Sequence, residues 1–171
     1  GSLLVTLPGD ALTEYRLPLL QVGKVILFEE LILQRIDELL AAGETVKVYD
    51  LLICVERGIP GWKETAPRFE KYLLVEARLQ AKKKSYSAAL SLLTELQKRN
   101  SSHPEVAGEY GQVTELMLVE ALAEQNYAKV KFLVQRLARL FPDHPVAARW
   151  KARLSEVAGE KLGRGQQLMQ Q

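Results

Sequence analysis

The sequence predicts an all-α fold of about three helical hairpins and a C-terminal capping helix, preceded by a short β-like arm. From residue 24 onward, apolar residues recur at spacings of three and four, which is the period of an α-helix. Several of these patterns return at a fixed offset, as in helical-repeat proteins, whose hairpins stack to bury their apolar faces. We therefore expect a β-like arm or hairpin at 3–22, a helical-repeat domain at 24–162 and a flexible tail at 163–171.

The N-terminal arm differs from the rest of the chain. Residues 3–7 and 12–17 are short runs of strand-forming residues, separated by the turn-forming sequence Pro8-Gly9-Asp10 and followed by Pro18. The pattern favours a small hairpin or an extended arm. Gly1-Ser2 is typical of residues left by cloning, and we expect the chain to be a fragment of a longer protein or a mature region without its leader.

Seven helices are predicted after the arm. Gly43 is a suitable residue to end the first helix, and Gly58-Ile59-Pro60-Gly61 ends the second. Ser85 and Asn126 are suitable N-caps for the fourth and sixth helices. The predicted helices are at about 24–43, 44–57, 67–83, 86–100, 105–125, 127–141 and 145–162.

The second helices of the hairpins repeat with a 41-residue period. Tyr86 and Tyr127 each open such a helix, and His103-Pro104 returns at the same offset as His144-Pro145. The apolar triplets of these helices align in three copies, which are Val48-Leu52-Val55, Ala89-Leu93-Leu96 and Val130-Val134-Leu137.

The first helices align at a different spacing. Val75-Glu76-Ala77 matches Val119-Glu120-Ala121 after 44 residues. This offset predicts a turn three residues longer in the middle repeat, at or near Lys82-Lys83-Lys84.

The second-helix pattern resembles the tetratricopeptide repeat, in which such a triplet is followed five residues later by proline. Val48-Leu52-Val55-Pro60 and Val130-Val134-Leu137-Pro142 match it, whereas Ala89-Leu93-Leu96 is followed by Ser101. The first helices lack the aromatic and small residues usual in that family, and the period is longer than the standard period of the family.

The resemblance implies a right-handed superhelix whose concave face is lined by the first helices and suits extended or helical peptides. The partner-binding residues that it implies are Glu30, Asp37, Arg68, Lys71, Arg78, Gln112 and Glu115. The alternative is a solvated helix face with intrahelical charge pairs.

A second resemblance concerns the whole chain. The β-like start, Val-Ile-Leu-Phe-Glu-Glu at 25–30, Ala-Gly-Glu-Thr-Val-Lys-Val-Tyr-Asp at 42–50 and Pro-Asp-His-Pro at 142–145 are similar to the N-terminal accessory region of some bacterial peptide-type ABC-transporter solute-binding proteins. This similarity implies an extracytoplasmic, periplasmic location and a linked solute-binding domain.

The charge distribution leaves a second class of partner open. The net charge is +2, yet residues 127–171 carry nine basic and three acidic residues. Such an uneven charge distribution is typical of proteins that bind an anionic partner or dock within a larger assembly. The alternative is that solvated helix faces simply carry charge. We expect nucleic acid to be an unlikely partner, because Trp150 is the one aromatic nearby and lies on an apolar helix line. The basic candidates are Lys129, Lys131, Arg136, Arg139, Arg149, Lys151 and Arg153.

No pattern predicts catalysis, a cofactor or a metal. Cys54 is the only cysteine and lies in an apolar run, where a free thiol behaves as a small hydrophobe. One Cys and two His supply no zinc-ligand spacing. Gly108 and Gly111 lack phosphate-loop spacing, and we expect them to weaken or delay the start of the fifth helix. The longest apolar runs are too short to span a bilayer.

The sequence therefore predicts a non-catalytic protein–protein interaction or spacer module, not an enzyme. The second resemblance implies that this module is a fragment of a larger bacterial transport-associated protein. Its expected partner is a protein or peptide. The alternative is a binder of nucleic acid or another anionic partner through the basic C-terminal helices.

Overall fold

A computed structural model describes residues 1–7, 10–23 and 28–169. Within these ranges the chain forms two strands and seven α-helices, so the predicted all-α fold with a short strand arm is confirmed. The elements are β1 (Ser2–Leu7), β2 (Asp10–Pro18), α1 (Phe28–Ala42), α2 (Thr45–Gly58), α3 (Ala66–Lys82), α4 (Tyr86–Arg99), α5 (Val106–Ala123), α6 (Tyr127–Leu140) and α7 (Pro145–Met169).

The arm is a β-hairpin. β1 and β2 pair antiparallel, from Ser2 opposite Pro18 to Leu7 opposite Asp10, with an irregularity in the register between Thr6 and Leu7. Most of the predicted turn, at Pro8 and Gly9, and the predicted start of the first helix at 24–27 lie outside the described residues.

The second helices of the hairpins repeat as predicted. α2, α4 and α6 are of equal length, 14 residues each, and their first residues are Thr45, Tyr86 and Tyr127. The residues that follow them, Ile59, Asn100 and Phe141, each donate a backbone hydrogen bond of 2.8 Å to the carbonyl four residues earlier. All nine residues of the three apolar triplets are buried. The 41-residue period of the sequence is therefore a structural period.

The turns between first and second helices follow the same period. Gly43, Lys84 and Gln125 all have positive φ angles, of 73°, 62° and 55°. At each turn two backbone N–H groups bond back to the preceding helix with the same pattern, in which Gly43 donates to Leu40 and Glu44 donates to Leu39. This arrangement is the Schellman motif, which satisfies the last carbonyls of a helix.

The predicted 44-residue offset of the first helices is wrong. Because the turns keep a strict 41-residue spacing, no three-residue insertion exists at Lys82-Lys83-Lys84. Ile36, Ala77 and Leu118 are the equivalent positions of α1, α3 and α5, and all three are buried. A shift of three residues is close to one helical turn, so it leaves similar residues on nearly the same face and misleads a sequence alignment.

The core consists of two apolar clusters. One lies between α1 and α2, and the larger one extends from α3 to α7. Tyr72 packs against both clusters and pairs with Tyr49, with ring centroids 5.7 Å apart. Trp150 is buried in the larger cluster, in agreement with its place on an apolar helix line of the sequence.

The last helix is longer than predicted. α7 continues to Met169, into the segment at 163–171 for which we expected a flexible tail. Gly159 and Gly163 lie inside α7, and the space around each glycine holds no neighbouring atom within 4 Å of an added Cβ. Gly159 and Gly163 therefore lower the helix propensity of α7 without ending the helix.

The two His-Pro pairs have the same role in the structure. The Nδ1 atoms of His103 and His144 accept backbone N–H groups of Glu105 and Val146, each at 3.3 Å, at the starts of α5 and α7. These bonds satisfy N–H groups that have no partner within the helix.

Gly111 has a packing role that the sequence did not show. Gly108 and Gly111 both lie inside α5, which begins at Val106, so they do not delay its start. A Cβ at Gly111 would overlap the imidazole ring of His144. The absence of a side chain at this position therefore makes room for the imidazole that caps α7.

We predict that Lys84→Gly and Gln125→Gly each raise the free energy of unfolding by about 0.5–1 kcal/mol. A side chain in the left-handed region costs about 1–2 kcal/mol, and substitution by glycine removes this cost. The greater freedom of glycine in the unfolded chain offsets part of the gain in stability. Urea unfolding measures the change. Lys83→Gly is the control, because Lys83 has a negative φ and glycine brings no such gain there. Equal effects at Lys83 and Lys84 would contradict the prediction.

We predict that the effect of Gly111→Ala on stability changes sign with His144. In the native background the new Cβ displaces the imidazole and costs about 1–2 kcal/mol. In a His144→Asn background, which keeps a capping side chain, alanine stabilises the helix by up to about 1 kcal/mol. Gly108→Ala is the control and stabilises in both backgrounds, since its surroundings are open. A destabilising effect of Gly111→Ala in both backgrounds would refute this coupling.

Candidate interaction surface on the first helices

The predicted partner-binding residues all lie on α1, α3 and α5. Glu30 and Asp37 are on α1, while Gln112 and Glu115 are on α5. The remaining three, Arg68, Lys71 and Arg78, are on α3. We call the solvent-facing sides of α1, α3, α5 and α7 together the first-helix face.

Two of these residues join α1 to α3. Nη2 of Arg68 donates to Oδ2 of Asp37 at 2.7 Å, and Nη1 of Arg68 donates to the carbonyl oxygen of Glu64 at 2.9 Å. Both partners of the ion pair are partly buried. Arg68 and Asp37 therefore hold neighbouring helices together, and neither is free to receive a partner.

Arg78 joins α3 to α5. Its Nε and Nη2 atoms donate to Oε1 of Glu109 at 2.8 and 2.6 Å, and Nη2 also donates to Oε2 of Glu105 at 2.6 Å. The hydrogen bond with Glu109, followed by that with Glu105, raises the pKa of Arg78 against the opposing effect of burial. Arg78 is thus held by one carboxylate of α5 and one carboxylate at the N-cap of that helix.

Glu115 joins α5 to α7 by an ion pair with Arg149. Together with the two preceding contacts, it forms what we call the ion-pair ladder, which connects all four first helices. The ladder corrects the expectation of intrahelical charge pairs for these residues, because each of its contacts joins two different helices.

Two contacts of the ladder occupy equivalent positions with their charges exchanged. Arg78 lies one repeat period after Asp37, and Glu109 lies one period after Arg68. The carboxylate is therefore on the earlier helix in one repeat and on the later helix in the next. In the third repeat the same positions hold Val119 and Trp150. If the hairpins stacked in a different order, side chains of like charge would face each other at these positions. The exchange of charges between the two contacts therefore favours the native order of the repeats.

The other three predicted residues form a row. Glu30, Lys71 and Gln112 are exposed and are spaced by one repeat period, so they occupy one position on three successive first helices. Exposed Arg153 continues the row on α7. We call these four residues the polar row. Its first three members, Glu30, Lys71 and Gln112, are the part of the predicted site that the structure leaves open to solvent.

Sequence reasoning missed the apolar residues beside the polar row. Leu116 and Val119 on α5 are 47% and 54% exposed, although apolar residues on helices usually mark the buried side. Half-buried Val75 and Val157 occupy the position equivalent to Leu116 on α3 and α7. We call these four residues the apolar row. The apolar row would have been recognised in the sequence if the first helices had been aligned with the same 41-residue period as the second helices.

The basic C-terminal residues do not form one continuous patch. Lys129 lies 3.8 Å from Glu124, and Arg149 is part of the ladder. The guanidinium of Arg153 lies over the Trp150 ring, 5.0 Å from its centroid. Because Trp150 is buried, it offers no stacking surface to a base.

Cys54 is exposed, so the expectation that it packs as a small hydrophobe is wrong. It lies on the side of α2 opposite to Leu52, which points into the core. Among the described residues, no three His, Cys, Asp or Glu side chains are grouped closely enough to hold a metal ion. No helix in these ranges is long and apolar enough to cross a membrane.

No protein-family model matches the sequence, and no curated protein matches it significantly. The resemblances to tetratricopeptide repeats and to transporter accessory regions therefore remain predictions. What the structure adds is the geometry of the first-helix face.

We predict that Asp37→Arg lowers the free energy of unfolding by about 0.5–1 kcal/mol, because it places two cations together at a partly exposed contact. The double variant Asp37→Arg with Arg68→Glu recovers most of this loss, since it copies the charge order of Arg78 and Glu109. Urea unfolding of the four members of the cycle measures the coupling. Gln34→Arg controls for added positive charge on α1. No recovery in the double variant would contradict the ladder.

Proposed function

We propose that the chain is a non-catalytic interaction module that binds a peptide segment of another protein on the first-helix face. The observation that carries this proposal is the exposure of Leu116 and Val119 on the same side of α5 as the polar row. Exposed apolar groups beside polar ones are typical of protein-interaction sites.

The apolar row supplies the free energy for such binding. Burying one large aliphatic side chain contributes about 1.5–3 kcal/mol. Val75 and Val157 flank Leu116 at the same helical level on the neighbouring first helices. A peptide that crosses the helices along this row covers apolar residues on α3, α5 and α7.

The polar row supplies orientation. Its charge changes from Glu30 on α1 to Lys71 on α3 and Arg153 on α7, with neutral Gln112 between the two cations. A bound segment with the opposite order of charges is favoured over the reversed one. The ion-pair ladder keeps the helices side by side, so the two rows are formed before binding, which reduces the entropy cost.

We further propose that the module belongs to a bacterial transport-associated protein. This part of the proposal is supported by the sequence resemblance to accessory regions of solute-binding proteins. It places the module outside the cytoplasm, beside a solute-binding domain. The sequence of the complete gene product tests it, because a downstream solute-binding domain is required.

We predict that Leu116→Glu combined with Val119→Glu reduces partner capture by at least about tenfold, because the apolar centre of the site is lost. The test uses the complete protein in its native host, with a photo-crosslinking amino acid at Gln112 to identify the partner. Lys71→Glu is expected to weaken capture without unfolding. Arg68 is unsuitable for this test, because its loss breaks the ladder.

The control for this experiment is Ser91→Glu, which adds a charge at an exposed position of α4 on the opposite side of the hairpins. Circular dichroism and urea unfolding establish that each variant is folded. Undiminished crosslinking by the folded double variant, or equal loss in the Ser91 control, would refute the first-helix site.

A further inference from the structure

Phe132 is an exposed aromatic residue at a position where the other repeats are polar. It lies on the outer side of α6 and is 59% exposed. The equivalent residues, one and two repeat periods earlier, are Ser91 on α4 and Asp50 on α2. Both are exposed and suit a solvent-facing helix surface. The fold therefore does not require an apolar residue at Phe132.

A cleft adjoins Phe132. It has a volume of about 320 Å³ and lies between α4 and α6, next to the C-terminal end of α6. The aliphatic side chain of Leu140 and the Phe132 ring give it apolar walls, while Thr94, Gln135 and two arginines give it polar ones. The lining residues are Thr94, Phe132, Gln135, Arg136, Arg139 and Leu140.

Arg136 is oriented at this cleft by two contacts. Its Nη2 atom lies 3.5 Å from Oγ1 of Thr94, and the Thr94 hydroxyl itself donates to the carbonyl oxygen of Leu90. The guanidinium also lies over the ring of Tyr110, 6.0 Å from the centroid. Burial raises the pKa of Tyr110, so the phenol stays neutral and does not neutralise Arg136.

The two arginines have no acidic partner in the described part of the chain. No carboxylate described there lies within 4.0 Å of Arg136 or Arg139. In contrast, Arg68, Arg78 and Arg149 on the first-helix face all have carboxylate partners. The positive charge at the cleft is therefore available to a ligand.

We propose that this cleft is a second binding site, which takes an acidic polypeptide segment with one apolar side chain against Phe132 and carboxylates on Arg136 and Arg139. Guanidinium groups bind carboxylates with two parallel hydrogen bonds, which suits Asp or Glu side chains. The site lies on the second-helix side of the hairpins and is independent of the first-helix face.

The chemistry of the cleft favours a polypeptide over a nucleic acid. Single-stranded nucleic acids are held by several stacking aromatics along a basic groove. Here a single exposed ring, that of Phe132, adjoins a cleft whose aliphatic wall is formed by Leu140. Such a cleft suits one apolar side chain flanked by carboxylates.

The test compares two substitutions with a matched control in the complete chain. Phe132→Ser installs the residue found at the equivalent position of α4, and Arg139→Glu reverses an exposed charge. Lys98→Glu makes the same charge reversal at the equivalent position of α4, one repeat period earlier. None of these three residues belongs to the described ion pairs, and urea unfolding establishes that each variant is folded.

The probes are three fluorescein-labelled ligands of equal charge, measured by anisotropy. The first is a peptide of Glu and Ser with one central Leu-Phe pair, the second replaces that pair by Ser-Ser, and the third is an oligo-dT. We expect the first peptide to bind at least about tenfold more tightly than the other two. Phe132→Ser is expected to remove that advantage, and Arg139→Glu to weaken binding by about tenfold.

Binding of the Leu-Phe peptide that is lost in Phe132→Ser and Arg139→Glu but kept in Lys98→Glu supports the site. Tighter binding of oligo-dT, with equal sensitivity to Lys98→Glu and Arg139→Glu, would overturn the proposal in favour of a general polyanion surface. Absence of peptide binding at millimolar concentration would also overturn it, as would binding unaffected by both substitutions.

Discussion

The fold depends on the burial of one apolar stripe in each second helix. Val48, Leu52 and Val55 of α2 have equivalents in α4 and α6, and all nine side chains are withdrawn from solvent. A hairpin on its own cannot cover these residues, because each second helix is also packed by the first helix that follows. Stacking is therefore a condition of stability, and the fixed repeat period is its consequence. The identical turns at Gly43, Lys84 and Gln125 keep successive hairpins in the same geometry.

This strict period determines which surface residues become neighbours. Residues one period apart lie at the same level on equivalent helices. The residue types at such a position therefore decide whether neighbouring helices form ion pairs or share a row of similar side chains. The exchanged charges of Asp37–Arg68 and Arg78–Glu109 are one result. The polar and apolar rows beside them are another. Apart from Leu116 and Val119, which share α5, the members of each row are far apart in sequence and are brought to one level by the repeat period.

The two proposed sites differ in how their charges are used. On the first-helix face most arginines are already engaged by carboxylates of neighbouring helices, and the open residues are an apolar row beside a polar one. At the cleft between α4 and α6, Arg136 and Arg139 have no such partners among the described residues, and Phe132 is exposed beside them. Paired charges stabilise the stack, whereas charges held near an exposed ring remain available to bind.

The helices, the β-like arm and the second-helix core follow from the sequence alone, because these depend on local periodicity and on turn residues that act over a few positions. The sequence also identified seven first-helix residues, of which Glu30, Lys71 and Gln112 remain open to solvent. The common register of first and second helices required the tertiary structure, since a shift of three residues changes a helical pattern too little to be recognised. The tertiary structure alone showed that Asp37, Arg68, Arg78 and Glu115 pair across helices and that Gly111 makes room for His144. Those contacts join residues that are distant in sequence, and their distances are set by the packing of whole helices rather than by any local pattern.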